Sequence, residues 1–536
     1  MLVVGLDGGD PALVERWIDE LPNLGRIARE GSFGVLHSTM PPMTCPAWLC
    51  FMTGKAPQTL GVYDWDQLSY SNEYGLSSLA SPAGSSLWDI LSMHGKQVGV
   101  LNVPLTYPAH AVNGFMVSGF PSGATKGNYA YPSGVAEELD SVANGYVIEP
   151  DAINPDYMAG GWRQFVAAHS QTLEKHARAA EYLMTHWTWD LFVTVFVATD
   201  RISHYLWHFM DAAHPRDKPP GISLNPVKET YRRVDTIIGR LVALAGEDAH
   251  VIIMSDHGFG PHYGDFLINQ WLLEEGFLKL QHPTLRLRLP DVNKVLDSNH
   301  LLARVAKRVL SRSGLAAYAT RLLSRNDPIM VPGTGFDAAR RLIETVDWQA
   351  TRAIGLPNGR IYLNAEDPSA SAYDGLRGNL TRALRGVKNP HSGDAALTAV
   401  LTREEVYGNV HANRPSDLIA VLDNHRYNTS MATGAGNLWR IPGRFTGDHR
   451  PEGLLMASGP SIRRNATVGA NIVDLAPTIL HFLEQPVPED MDGRVLTEIF
   501  APESEPARRA VVIAGSSLAS ATRQRIRQLR DRGRLP

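Results

Sequence analysis

Six acidic and imidazole side chains fall at strand ends or tight turns, where a chain commonly presents ligands: Asp7, Asp200, His204, Asp256, His257 and His449. Mixed carboxylate and imidazole donors without thiolate suit Zn²⁺, Mn²⁺ or Fe²⁺ better than Ca²⁺, which takes oxygen alone. Asp200 and His204 are spaced i, i+4, which puts both on one face of a helix. Asp256 and His257 are adjacent, so one turn presents both only if its backbone is irregular, and Gly258 and Gly260 are expected to give that freedom. Singly, each residue has a plainer role, such as capping the following helix. Together they point to a shared cation site.

A hydroxyl accompanies them. The segment Pro41-Pro42-Met43-Thr44-Cys45-Pro46-Ala47-Trp48 carries a proline that pre-sets the first turn of a helix. Thr44 therefore sits at a helix N-terminus, where free amides and the dipole favour an anion. A phosphate oxygen bound there leaves Thr44 placed as a nucleophile; the plainer role is a cap. Cys45 is the stronger nucleophile in principle, but no His or Lys adjoins it to lower its pKa.

The elements that must position these groups are legible as apolar runs. Leu2–Leu6 stops at Asp7-Gly8-Gly9, Leu191–Val197 at Ala198-Thr199-Asp200, and His250–Met254 at Ser255-Asp256-His257. Short apolar runs of this kind are buried parallel strands, and ligands of open α/β sheets bind beyond their carboxyl ends. Helical periodicity over Trp162–Thr185 and Pro226–Ala245 separates them. The fold class is thus α/β with a mostly parallel central sheet and helices on both faces.

Two regions break the rhythm. Residues 280–345 are basic, with helical patterning near 301–323, and are expected to be an inserted cap. A basic amphipathic helix over 299–325 also suits an anionic membrane surface, but a solvated cap face is the simpler reading. Residues 346–430 are expected to form a small α/β subdomain. The core occupies 1–279 and 431–500, and 501–536 reads as a helical tail.

The 536 residues carry a net charge of −4, which gives no electrostatic pull toward a nucleic acid polymer. Two cysteines exclude a disulfide scaffold or a cysteine-rich zinc module. No apolar run reaches the ~18–20 residues of a membrane span, and no secretion signal pattern opens the chain, so a cytoplasmic protein is expected. Oligomeric state is not legible.

The blocks Gly5-Leu6-Asp7-Gly8, Pro41 to Trp48, Asp200-Arg201-Ile202-Ser203-His204, Ser255-Asp256-His257-Gly258-Phe259 and Gly447-Asp448-His449-Arg450-Pro451-Glu452-Gly453 occur in that order. They resemble the alkaline phosphatase superfamily, in its type I phosphodiesterase/nucleotide pyrophosphatase branch. The resemblance implies an alkaline-phosphatase-like α/β/α sandwich and a pair of divalent metal ions, zinc usually and manganese as an alternative. It further implies Asp7, Asp256, His257 and the nucleophile Thr44 on one ion, and Asp200, His204 and His449 on the other. The implied activity is hydrolysis of a small phosphoester, diesters ahead of monoesters, through a phosphothreonyl intermediate.

One departure matters. Better-known nucleotide pyrophosphatases carry a phosphoryl-binding Asn 21 residues after the nucleophile, and here that position is Trp65. Lys55, or main-chain amides near Cys45, are the substitutes expected to bind the substrate. A phosphotransferase, mutase or phosphomonoesterase could use the same site. A sulfatase is disfavoured because Cys45 lacks the following x-Pro-x-Arg pattern, and a metal-stabilised binding protein because every ligand position is filled.

Overall fold

The computed structural model describes residues 1–515 except 78–85, 123–126, 151–160, 217, 219–222, 282–333, 366–370, 410–411, 435 and 442. The core of the expected cap, including 299–325, therefore lies outside the described residues. At its flanks, Leu280 and Val346 form an antiparallel bridge, and the Gln281 amide donates to the Thr345 carbonyl at 2.8 Å. The insert thus leaves and re-enters the fold at one place.

The central sheet is built on Leu2–Leu6. This strand is flanked on one side by Leu191–Phe196 and on the other by Val251–Met254, both parallel to it. The parallel set continues through Val98–Val103 to Gly114–Ser118. On the other flank Glu452–Ser458 runs antiparallel to Val251–Met254 and to Ser32–His37. The sheet is mostly parallel, as expected.

Side-chain alternation divides the core into two layers. Leu2, Val4 and Leu6 pack with the helices Trp162–His186, Ala198–Leu206 and Pro226–Ala245. Val3, Val193 and Val195 face the helices Thr44–Thr53 and Leu475–Phe482. The Thr44–Thr53 helix is buried on every side, consistent with its unbroken apolar sequence.

The second unit is larger than the expected 346–430. Its sheet takes in Ala353–Gly355, Arg360–Leu363, Leu397–Thr402, Leu418–Leu422 and Tyr427–Ser430, and it recruits Gly264–Leu267 and Trp439–Arg440 from the segments assigned to the core. Gly264–Leu267 has the sequence Gly-Asp-Phe-Leu, with no unbroken apolar run, and so gives no strand signal in the sequence. In the tail, the described part of 501–536 contains the short helix Glu505–Arg508 and a strand, Ile513–Ala514, paired with Val487–Pro488.

Arg360 ties this unit to the core. Its guanidinium is buried and pairs with Asp64 Oδ2 at 2.9 Å and with the Asp66 carboxylate, while donating to the Asp66 carbonyl at 2.8 Å. Removing one member of such a buried set leaves uncompensated charge and costs about 3–5 kcal/mol. Arg360→Ala is expected to lower the denaturant midpoint accordingly, measured by urea unfolding.

Candidate active site

The strand register brings the ligand candidates together. Leu6 pairs with Phe196 and Gly5 with Met254, so Asp7, Asp200 and Asp256 emerge from the carboxyl ends of three neighbouring parallel strands. The Asp7 amide donates to the Phe196 carbonyl at 3.0 Å, and Thr199 Oγ1 donates to the Asp7 carbonyl at 2.6 Å. Gly8 turns the chain with φ +66, and a Cβ there would come within 2.8 Å of Phe259. Its amide donates to Asp256 Oδ1 at 3.1 Å.

His449 arrives from the other end of the chain. Its strand, Gly447–Arg450, runs antiparallel to Gly258–Pro261 and pairs His449 with Phe259. Gly258 is required for space rather than for an unusual dihedral: a Cβ there would meet the Glu452 carbonyl oxygen at 2.0 Å. This corrects the expectation that it supplies backbone freedom. Thr44 is the first residue of its helix, and its Oγ1 lies 3.1 Å from His257 Nε2.

Each of the three histidines spends one ring nitrogen on a backbone carbonyl. Nδ1 of His204 meets the Gly447 oxygen at 3.0 Å, that of His257 the Gly258 oxygen at 3.1 Å, and that of His449 the Pro42 oxygen at 2.8 Å. A carbonyl only accepts, so each Nδ1 carries a proton and each ring turns its Nε2 inward. This is how proteins orient imidazole ligands of metals. Nε2 of His204 and His449 lie 3.0 Å apart, and 3.2 and 3.3 Å from Asp200 Oδ1. Two lone pairs facing each other at that distance require a proton or a cation between them.

The carboxylates make the same demand. Both oxygens of Asp7, Oδ1 of Asp200 and Oδ2 of Asp256 are buried without a hydrogen-bond donor. Buried charge left unpaired is expensive, and the groups converge: His257 Nε2 is 3.6 Å from Asp7 Oδ1 and 3.2 Å from Asp256 Oδ2. Burial, then the neighbouring Asp256 and Asp200, push the Asp7 carboxyl well up, and burial raises Asp256 to about 7. Asp200 goes the other way. Burial opposes its charge, but His204, His449 and Arg201 hold it well down. Burial, then His449, keeps His257 neutral. Asp7, Asp256 and His257 form one set of donors within metal-binding reach, and Asp200, His257 and His449 another. The donor chemistry fits divalent cations of the zinc type.

The structure thus brings together Asp7, Thr44, Asp200, His204, Asp256, His257 and His449. It places Lys55 elsewhere, beyond the far end of the Thr44–Thr53 helix, with Nζ on Asp490 Oδ2 at 2.6 Å. Cys45 is fully buried in the core behind Thr44, and burial drives its thiol well up.

Two neighbours had no role in the sequence reading. Asp448 joins His204 and His449 as a further donor set; it adjoins His449 in the sequence, which was the available signal. Arg201 bridges Asp200 Oδ2 at 3.0 Å and Glu149 Oε1 at 2.9 Å, and stacks over Phe120. Trp65 packs on that same ring, 6.3 Å between centroids. The position of the missing Asn therefore holds up an aromatic shelf under a guanidinium.

Three carboxylates, three inward-facing imidazoles and a hydroxyl at a helix N-terminus define a site of the metallohydrolase kind. The sequence profile of the type I phosphodiesterase / nucleotide pyrophosphatase family matches residues 1–449, ending on the last of these ligand candidates, and the chain belongs to that family. It is a hydrolase of phosphoester bonds in the alkaline phosphatase superfamily. No curated protein sequence matches it. Among solved structures it is similar to human ectonucleotide pyrophosphatase/phosphodiesterase 5, with 13% identity and a TM-score of 0.47 over 93% of this chain and 99% of that one. No helix among the described residues is long and apolar enough to cross a membrane.

Proposed function

We propose that the chain is a two-metal phosphodiesterase that uses Thr44 as its nucleophile. The observation that carries this reading is the set of undonated carboxylate oxygens and inward Nε2 lone pairs beside Thr44 Oγ1. Asp7, Asp256 and His257, with Thr44, would hold one ion, and Asp200, His204 and His449 the other. Zinc is the ion favoured by the donor set, with manganese as the alternative. When bound, such a pair neutralises charge on the phosphoryl group and lowers the pKa of an adjacent hydroxyl.

The residues of the chain do the rest. Thr44 Oγ1 attacks phosphorus as the bond to the departing alcohol breaks, and water then releases the phosphoryl group from phosphothreonine. No side chain caps the Thr44–Thr53 helix, so its first-turn amides, rather than Lys55, are the groups available to receive a non-bridging oxygen. The substrate is a small phosphoester, not a nucleic acid polymer. The two unpaired, buried thiols suit a reducing, cytoplasmic setting.

Metal-loaded protein should cleave bis-p-nitrophenyl phosphate faster than p-nitrophenyl phosphate, and p-nitrophenyl sulfate least. Preference for the sulfate, or inactivity on all three with metal bound, would contradict the reading. Cys45→Ala should change kcat less than about 3-fold, because a thiol packed in the core has no access to phosphorus; steady-state kinetics on the diester decides it.

A further inference from the structure

Two of the three site carboxylates spend one oxygen on the protein. Asp256 Oδ1 accepts the Gly8 amide at 3.1 Å, and Asp200 Oδ2 accepts Arg201 Nη1 at 3.0 Å. Their other oxygens, Asp256 Oδ2 and Asp200 Oδ1, are buried without a donor. Asp200 Oδ1 is also the oxygen that lies beside Nε2 of His204 and His449. The two donors differ in kind: one is a main-chain amide, and the other depends on a single charged side chain.

The Arg201 contact is built by its surroundings. Asp200 and Arg201 are neighbours on the helix Ala198–Leu206, and adjacent helical residues do not face each other. The arginine side chain has to turn back toward Asp200, and two groups hold it there. Nη2 donates to Glu149 Oε1 at 2.9 Å, and the guanidinium lies over the Phe120 ring, 4.7 Å from its centroid. Trp65 backs that ring from beyond.

A carboxylate offers a cation one oxygen or both. With Oδ2 tied to a guanidinium that is always charged, Asp200 has Oδ1 alone to give. One carboxylate oxygen and two imidazoles make three protein donors, which leaves a position open on a tetrahedral ion. That is the arrangement of catalytic rather than structural zinc.

We propose that Arg201 is a positioning residue that restricts Asp200 to one metal-binding oxygen and so keeps a coordination position at the Asp200, His204 and His449 set free for water or substrate. This rests on the two-metal reading above and adds what holds that set open. Arg201 therefore works against tight metal binding, because it withholds an oxygen and places a positive charge beside the cation.

The experiment compares the full chain as wild type, Arg201→Met, Arg201→Lys and Glu149→Gln, each stripped and reloaded with zinc or cobalt. Arg201→Met keeps an unbranched side chain but removes donor and charge. It should hold the second ion more tightly, raising the chelator concentration that removes it about 10-fold. Its kcat on bis-p-nitrophenyl phosphate should nevertheless fall about 10- to 100-fold. Its cobalt form should absorb more weakly in the visible, since a second carboxylate oxygen raises the coordination number. Arg201→Lys restores charge and a donor and should recover most of each change. Glu149→Gln loosens the arginine from its far side and should move the three readouts the same way by less, which keeps the test decisive if Arg201→Met fails to fold. An arginine that only supports the fold predicts the opposite for affinity, with the second ion lost at lower chelator. That result, or cobalt absorption unchanged in both Arg201→Met and Glu149→Gln, would overturn the proposal. A wild type that takes up neither metal would instead remove the two-metal reading, and the role of Arg201 with it.

Discussion

Thr44→Ala should abolish turnover while leaving the fold and the metal content nearly unchanged. In the proposed reaction the hydroxyl is the nucleophile, and deleting a covalent nucleophile typically removes about 10³-fold or more from kcat. Structure argues that the loss will be clean. Thr44 opens a helix whose ten residues are all buried, and alanine is tolerated at a first helical position. The carboxylates and imidazoles reach the site from other elements, and although Oγ1 meets His257 Nε2 at 3.1 Å, Asp7, Asp256 and His257 remain to hold the first ion without it. Thr44→Ser keeps the hydroxyl and should retain measurable activity. Diester kinetics paired with elemental analysis checks both variants. A Thr44→Ala enzyme within 10-fold of wild type would remove the nucleophile assignment and leave the ligand set intact.

Removing metal should destabilise the protein as well as silence it. Without cations, Asp7, Asp200 and Asp256 face one another with four buried oxygens lacking donors. A ligand present at 100 to 1,000 times its Kd stabilises the folded state by about 3–4 kcal/mol, so chelation should lower Tm and zinc restore it. Asp7→Asn should reverse sign with loading. In the stripped protein it relieves repulsion and raises Tm; in the loaded protein it removes a ligand and lowers Tm. Uptake also has a pH sense. Asp256 titrates at about 7 in the metal-free site, and a carboxyl must lose its proton to bind a cation, so affinity should fall as pH drops below 7. Calorimetric melts with and without chelator, and zinc titrations from pH 8 to pH 5.5, measure these effects.

Much of the site was legible because its chemistry is written at strand ends. An apolar run followed by Asp needs no tertiary knowledge to mark a sheet edge, and three such runs in parallel place Asp7, Asp200 and Asp256 together. His204 followed from helical spacing, and His449 from its motif. What the sequence hid is relational. Gly258 reads as a flexible residue, yet its role is contact with the Glu452 carbonyl, which only the folded sheet reveals. Lys55 stands eleven residues past Thr44, and an intervening helix rising about 1.5 Å per residue carries it away from the site. The second sheet's use of Gly264–Leu267 joins segments remote in sequence that carry no shared pattern. Asp448 and Arg201 sat inside quoted motifs, but one acid and one base among many give no role until their partners are seen.

Metal stoichiometry tests most directly whether these seven side chains enclose the proposed pair of divalent cations. Protein stripped by chelator, reloaded with zinc and freed of excess by gel filtration should carry a pair of ions per chain by mass spectrometric elemental analysis. His449→Ala should retain about half of that, since it spares the Asp7, Asp256 and His257 set. Reloaded wild type with no bound zinc, or a His449→Ala variant that binds as much as wild type, would contradict the account.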